Sequence, residues 1–216
     1  MNSDMNPQRK LSITEMDRLN VEQFRSAPKI PLSMLLDNVR SMYNVGSVFR
    51  TADAFRIEHL YLGGYTPLPP HPMIHKTALG AEESVLWEHC ADPMVLLNSL
   101  RRIGYTVCAL EQTTQSITPQ EFAEHVFAAH PTPVVIVAGN EVYGVDERIV
   151  QAADYCLEIP QFGTKHSLNV SVAAGIALYH LSLPFLAHGF KTDVVPEAAP
   201  LGDKTHSGVL PHEQKI

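Results

Sequence analysis

Pro133-Val134-Val135-Ile136-Val137-Ala138-Gly139-Asn140-Glu141-Val142-Tyr143-Gly144 sets five consecutive apolar residues, four of them β-branched, ahead of a glycine-bounded turn. An apolar run without polar alternation suits a strand covered on both faces, as in parallel sheets. The glycines leave room for a ligand to approach the backbone at the carboxyl end of that strand, where α/β sheets place their sites. The same residues also fit a plain glycine turn with a solvated Glu141.

Outward from this strand the pattern alternates. Leu32–Leu36 reads as a strand, Asn44 as the cap of a helix to about Arg56, and His59–Leu62 as a strand closed by Gly63-Gly64. Residues 65–90, with Pro67, Pro69, Pro70 and Pro72, read as a long loop. A helix over 93–103, a strand over 105–110, a helix over 119–129, the Pro133–Ala138 strand, a helix over 146–152, a strand over 155–159 and a helix from about Ser167 to Ser182 follow. This order predicts an α/β fold with a mostly parallel sheet and helices on both faces. Ser12-Ile13-Thr14-Glu15 reads as a capping box opening a helix that ends before Pro28. The expected organisation is an N-terminal helical arm (1–29), one folded domain (30–190) and a flexible tail (191–216), which has three prolines and no aromatics.

Composition narrows the class. With 216 residues, 45% hydrophobic and 18% charged, one globular domain with appendages is expected, and no apolar run approaches the ~20 residues of a membrane span. Met1–Lys10 lacks an apolar signal core, and three cysteines (Cys90, Cys108, Cys156) without C-x-x-C spacing suit a reducing compartment, so a cytoplasmic location is expected. The net charge of −7 resides entirely between Glu111 and Glu158, where eight acids face only Arg148; elsewhere bases and acids balance at fifteen each. Indiscriminate nucleic-acid binding by bulk charge is thereby excluded. A local basic surface from Arg40, Arg50, Arg56, Lys76, Arg101, Arg102 or the arm with Arg9 and Lys10 is still open.

Gly139 to Gly144 has P-loop glycine spacing, but Val145-Asp146 stands where Lys-Ser/Thr is required, and no G-x-G-x-x-G follows a strand. Asn44-Val45-Gly46-Ser47-Val48-Phe49-Arg50-Thr51-Ala52-Asp53 places Val45, Val48, Phe49, Ala52 and Phe55 on one helical stripe, with Arg50 opposite and one turn above Gly46, whose bare backbone leaves space to dock something. The plainer alternative is a surface Arg50 paired with Asp53. Ile159-Pro160-Gln161-Phe162-Gly163-Thr164-Lys165-His166-Ser167-Leu168-Asn169-Val170-Ser171-Val172-Ala173 leads into a helix apolar on every side, so Asn169 and Ser171 are expected in an interior, where each needs a partner. His71 and His75, near His59, His89 and Cys90, are not expected to hold a metal, because prolines preclude a helix aligning them. Ser167, His166 and Asp154 lack a G-x-S-x-G elbow. Lys76, His71 and His75 make the 65–90 loop a candidate RNA contact, or simply a surface loop.

In order, Asn44 to Ala52, Gly139-Asn140-Glu141-x-x-Gly144, and Ile159-Pro160 through Ser167–Ala173 resemble the three motifs of the SpoU (TrmH-type) RNA 2′-O-methyltransferases of the SPOUT superfamily, over about residues 32–182. The resemblance implies a C-terminal trefoil knot, an exception to unknotted topology. It implies S-adenosylmethionine as cofactor, no metal, and a homodimer with the active site at the subunit interface. It places main chain of Gly139, Ile159 and Leu168, with Leu110, around the cofactor, and Asn44, Arg50, Glu141, Ser167 and Asn169 at catalytic or substrate-positioning places. The larger rRNA enzymes of the family carry an N-terminal substrate-binding domain that this sequence does not show, which favours tRNA over rRNA as substrate. An inactive RNA-binding module of the same fold, a nucleotide-dependent hydrolase, and methylation of a small molecule or protein are the rival functions.

Overall fold

β1 (Ile30–Asp37) and β5 (Val134–Ala138) run side by side at the centre of a six-stranded sheet, Leu32 beside Val134 and Leu36 beside Ala138. The computed structural model describes residues 9–12, 14–16, 18–127 and 132–187. The sheet is completed by β2 (Ile57–Gly63), β3 (Trp87–Cys90), β4 (Thr106–Leu110) and β6 (Tyr155–Leu157), in the order β3-β2-β1-β5-β4-β6, with every pairing parallel.

The two-residue period of the central strands divides the core in two. Leu32, Met34, Leu36, Val134 and Ile136 pack with Phe49, Ala174 and Leu178 on one face; Leu35, Val135, Val137 and Val107 pack with Leu97, Leu100 and Ile149 on the other. Helix α1 (Val21–Ser26), α2 (Met42–Ala54), α3 (Pro72–Ala78), α4 (Ala81–Ser84), α6 (Pro119–Glu121, continuing as a π-helical turn over Phe122–Phe127) and α8 (Val170–Ala187) contribute to the first face. Helix α5 (Pro93–Arg102) and α7 (Glu147–Ala152) contribute to the second. Among the described residues no helix is long and apolar enough to cross a membrane.

Several expectations are corrected. Ser41, not Asn44, caps α2, its hydroxyl accepting from Asn44 N at 3.3 Å. The N-terminal arm is not one helix: a short turn over Thr14–Met16 precedes α1, whose own capping box pairs Asn20 with Gln23. Residues 65–90 hold two short helices and a strand, because Pro72 occupies the first turn of α3, where its missing N–H costs nothing, and the His71 ring accepts from Met73 N. The space over Gly46 is filled by that helix, since a Cβ there would lie 2.2 Å from Thr77 Oγ1 and 2.3 Å from the Ile74 carbonyl. Helix α8 is not buried all round: Ala174, Ala177, Leu178 and Leu181 face the core, but Val172 and Tyr179 are each 50% exposed. The expected tail, 191–216, lies outside the described residues.

Candidate active site

At the carboxyl ends of β4, β5 and β6 three loops enclose a cavity of about 730 Å³, within the range of small-molecule sites. Leu110, Gly139, Ile159 and Leu168 all line it, together with Glu141, Ser167 and Asn169. Seven of the nine predicted site residues therefore share one wall system.

The loop after β5 is drawn tight. Asn140 and Gly144 exchange backbone hydrogen bonds of 2.9 Å, and Gly144 has φ +72. A Cβ on Gly139 would sit 2.2 Å from Gly144 C and from Val145 N, so only glycine admits this closure. Asn140, 6% exposed, locks the turn: its Nδ2 donates to the Asn38 carbonyl and Tyr65 Oη, and its Oδ1 accepts from Val142 N and Tyr143 N. Glu111 accepts from Val145 N at 3.1 Å, and Gln112 Nε2 donates to the His166 carbonyl at 2.9 Å, tying the three loops together. Asp37, 2% exposed at the end of β1, accepts from Asp146 N and Asn38 Nδ2; burial pushes its carboxyl pKa up, against those hydrogen bonds.

One hydrogen-bond chain joins the three motifs. Glu141 accepts from Arg40 N, Ser41 N and Asn44 Nδ2, each at 2.9 Å. Asn44 Oδ1 then accepts from Asn169 Nδ2 at 3.1 Å. Burial works to raise the Glu141 pKa, but the three N–H donors outweigh it and hold the carboxyl below its ordinary value. Glu141 is thus an anion held at the start of α2, already fully engaged. Asn169 corrects the expected buried polar group: it is exposed and is itself the cap of α8, its Oδ1 accepting from Ser171 N at 2.9 Å and Ser171 Oγ at 2.6 Å. Ser167 lines the cavity, and its hydroxyl has no protein partner among the described residues.

Arg50 is not at the cavity. It is exposed, lies six residues beyond Asn44 on α2, and lines a separate groove of about 430 Å³ with Phe24, Leu79 and Gly80. The alternative pairing with Asp53 is absent, because Asp53 accepts from Ser84 Oγ at 2.5 Å; Arg50 has no ion-pair partner among the described residues.

The cavity is acidic. Glu111, Glu141, Glu147 and Glu158 line it, and no lysine or arginine does. The histidines of the 65–90 segment are separately engaged: His71 at the start of α3, His75 with Glu82 at 2.5 Å, His89 with the Gly64 carbonyl at 2.8 Å. Lys76 Nζ lies 5.9 Å from the Tyr43 ring centroid.

Asn140, Asp37, Glu111 and Gln112 were not singled out as site residues by the sequence. The one signal for Asn140 was its place directly after the strand glycine; an acid ending an apolar run, as Asp37 does, reads as an ordinary loop residue.

Residues 31–179 match the SpoU rRNA Methylase family model. The chain is 32% identical over 149 residues to a tRNA (guanosine(18)-2′-O)-methyltransferase of Aquifex aeolicus, covering 68% of this chain and 67% of that protein. Its fold matches the crystal structure of the A. aeolicus TrmH/SpoU tRNA modifying enzyme with a TM-score of 0.69 at 28% identity, covering 79% of this chain and 84% of that one. It matches an AdoMet-bound rRNA methyltransferase from Sinorhizobium meliloti with a TM-score of 0.63 at 26% identity, over 73% of this chain and 59% of that one. Three motifs joined by hydrogen bonds at one cavity, and a family match running from β1 into α8, lead to one conclusion: the chain belongs to the SpoU rRNA methylase family.

Proposed function

We propose that this protein is an S-adenosylmethionine-dependent methyltransferase that methylates a ribose 2′-hydroxyl of tRNA, acting in the cytoplasm as a homodimer. The observation that carries it is the Glu141–Asn44–Asn169 chain, which fixes all three motifs around a cavity walled by Gly139, Ile159 and Leu168. A cavity lined by four glutamates, with no lysine or arginine, suits a cationic donor and disfavours phosphate-bearing nucleotides, which weakens the hydrolase alternative. The A. aeolicus relative, which its name describes as acting on guanosine 18 of tRNA, supports tRNA; the S. meliloti neighbour keeps rRNA as the second substrate to test.

When bound, the cofactor supplies an electrophilic methyl group. This chain's residues orient and stabilise. Gly139, Ile159 and Leu168 offer main chain to the adenosine part, with Leu110 at the rim. Glu141 positions: engaged with three N–H donors and with a lowered pKa, it is poorly suited to take the hydroxyl proton, which leaves to water or to the RNA phosphate. Ser167 and Asn169 stand at the cavity wall to orient ribose or donor. Arg50, through the planar fork of its guanidinium, holds the target phosphate and stabilises developing alkoxide charge. Its distance along α2 from the cavity supports a guanidinium supplied across a twofold axis, and the half-exposed Val172 and Tyr179 offer α8 as part of the apolar surface such a dimer needs. The proposal includes the C-terminal trefoil knot that the family resemblance implies.

The test is incubation of the protein with methyl-labelled S-adenosylmethionine and tRNA or rRNA transcripts, followed by alkaline hydrolysis. Ribose methylation leaves label in alkali-resistant dinucleotides from tRNA; label in mononucleotides, or none, contradicts the reading.

A further inference from the structure

The cavity carries more negative charge than its architecture uses. Among the described residues the ion pairs are Arg9–Glu15, His75–Glu82, Arg101–Asp154 and Arg148–Asp146, so none of the four cavity glutamates is neutralised by a cation. Two of the four are occupied in building the site. Glu141 holds the start of α2 through three N–H groups, and Glu111 accepts from Val145 N and Gln112 N. Glu147 and Glu158 are different. Each uses one oxygen only, Glu147 Oε1 toward Gln151 Nε2 at 3.1 Å and Glu158 Oε2 toward Ser116 Oγ at 2.7 Å, contacts that a neutral amide could also make. Glu158 is half-buried and Glu147 exposed, so solvent screens the second more strongly, and a cationic occupant offsets the repulsion between these like charges.

We propose that Glu147 and Glu158 make the cavity read the charge on its ligand's sulfur, holding the sulfonium donor and loosening its grip on the thioether product. This rests on the donor assigned above. In the transfer the S–CH3 bond breaks with its electron pair left on sulfur, an O–CH3 bond forms at the ribose, and the hydroxyl proton leaves to water. The ligand thereby passes from one net positive charge to none, while the carboxylates around it keep theirs. A unit charge within roughly 10 Å, at the effective dielectric of a half-open cavity, changes affinity by about three- to tenfold. Product release is therefore assisted by the reaction itself.

Calorimetry with three probes tests this: S-adenosylmethionine, S-adenosylhomocysteine, and sinefungin, whose amine replaces the sulfonium. Glu158→Gln is expected to weaken S-adenosylmethionine and sinefungin about three- to tenfold, and Glu147→Gln, at an exposed position, by less, with S-adenosylhomocysteine changed less than about twofold by either. On the unmodified protein, raising ionic strength is expected to weaken the two cationic probes and spare the neutral one, which keeps the test independent of variant folding. Equal losses for charged and neutral probes, or a salt response shared by all three, overturn the proposal and make these glutamates plain wall residues. Failure of the unmodified protein to bind any of the three overturns the donor assignment itself, a result distinct from binding without charge selectivity.

Discussion

Asn44 donates its side-chain amide to Glu141 Oε1 at 2.9 Å across a sequence separation of 97 residues, binding the first motif to the second. Because Asn44 also accepts from Asn169, its amide has both ends engaged, and neither end can be replaced without leaving a partner exposed to water or unpaired. Asn44→Asp reverses the donor end and sets two carboxylates face to face. The expected result is a loss of about 1–3 kcal/mol of stability and at least a tenfold fall in kcat, read by thermal denaturation and methyl transfer. Unchanged melting and turnover contradict a connecting role.

Glu141 gives a signed pH dependence. With its pKa held below the ordinary value, its contribution is complete once pH exceeds the unfolded carboxylate range and is lost as pH falls through the lowered folded value. Glu141→Gln should flatten the acid limb of a stability-against-pH curve relative to the unmodified protein. A superimposable acid limb shows that the three N–H contacts do not stabilise the charge.

Gly139→Ala places a methyl group 2.2 Å from the Gly144 carbonyl carbon and Val145 N, backbone that has no room to yield without opening the loop. The prediction is a loss of donor binding beyond calorimetric detection, with about 1–3 kcal/mol of destabilisation. Retained affinity places the donor away from this loop.

His59 reports on the opposite core. Its ring stacks on Tyr61 at 4.2 Å between centroids, its Nε2 is buried without a hydrogen-bond partner, and burial lowers its pKa from 6.5 to about 4. Between those values the unfolded chain binds the proton and the folded one does not, so stability should fall by up to about 3 kcal/mol as pH drops from 6.5 toward 4. His59→Leu should remove that slope in chemical denaturation; an undiminished slope assigns it to other groups.

Arg50 tests the composite site. An Arg50→Ala protein and a Gly139→Ala protein are each expected to be inactive, while a mixture refolded together recovers a measurable fraction of activity in heterodimers having one intact pairing. No recovery, with mixed dimers demonstrated, places Arg50 with its own chain's cavity. In Arg50→Lys a substantial drop in kcat is expected, since the planar fork cannot be reproduced by an ammonium; full activity contradicts a bidentate contact.

Much of this architecture was legible because period and glycine placement are local. The Val134–Ala138 run declared a strand covered on both faces, and the Val45, Val48, Phe49, Ala52 stripe declared the inner face of α2. What misled was local too. Asn44 and Ser41 are both good caps, and only the loop bearing Glu141 decides which one starts the helix. Pro72 reads as a helix breaker until it is seen in the first turn, where it is tolerated. The all-round apolar composition of α8 does not say whether a side chain meets its own core, so Asn169 looked interior when it stands at an exposed helix start. The locking role of Asn140 within its motif, and that of Asp37, are not legible locally because their partners, Tyr65 and Asp146, lie far away in sequence.

Three loops forming one donor cavity, held largely by peptide groups, is the relationship on which the proposed function depends. A crystal structure of the protein with bound S-adenosylhomocysteine tests it most directly. The adenosine part is expected against main chain of Gly139, Ile159 and Leu168, with Arg50 of the partner subunit at the cavity mouth, where the target ribose and its phosphate enter. Ligand density in the Arg50 groove of the same chain, or a cavity mouth with no guanidinium from either subunit, is the opposite result.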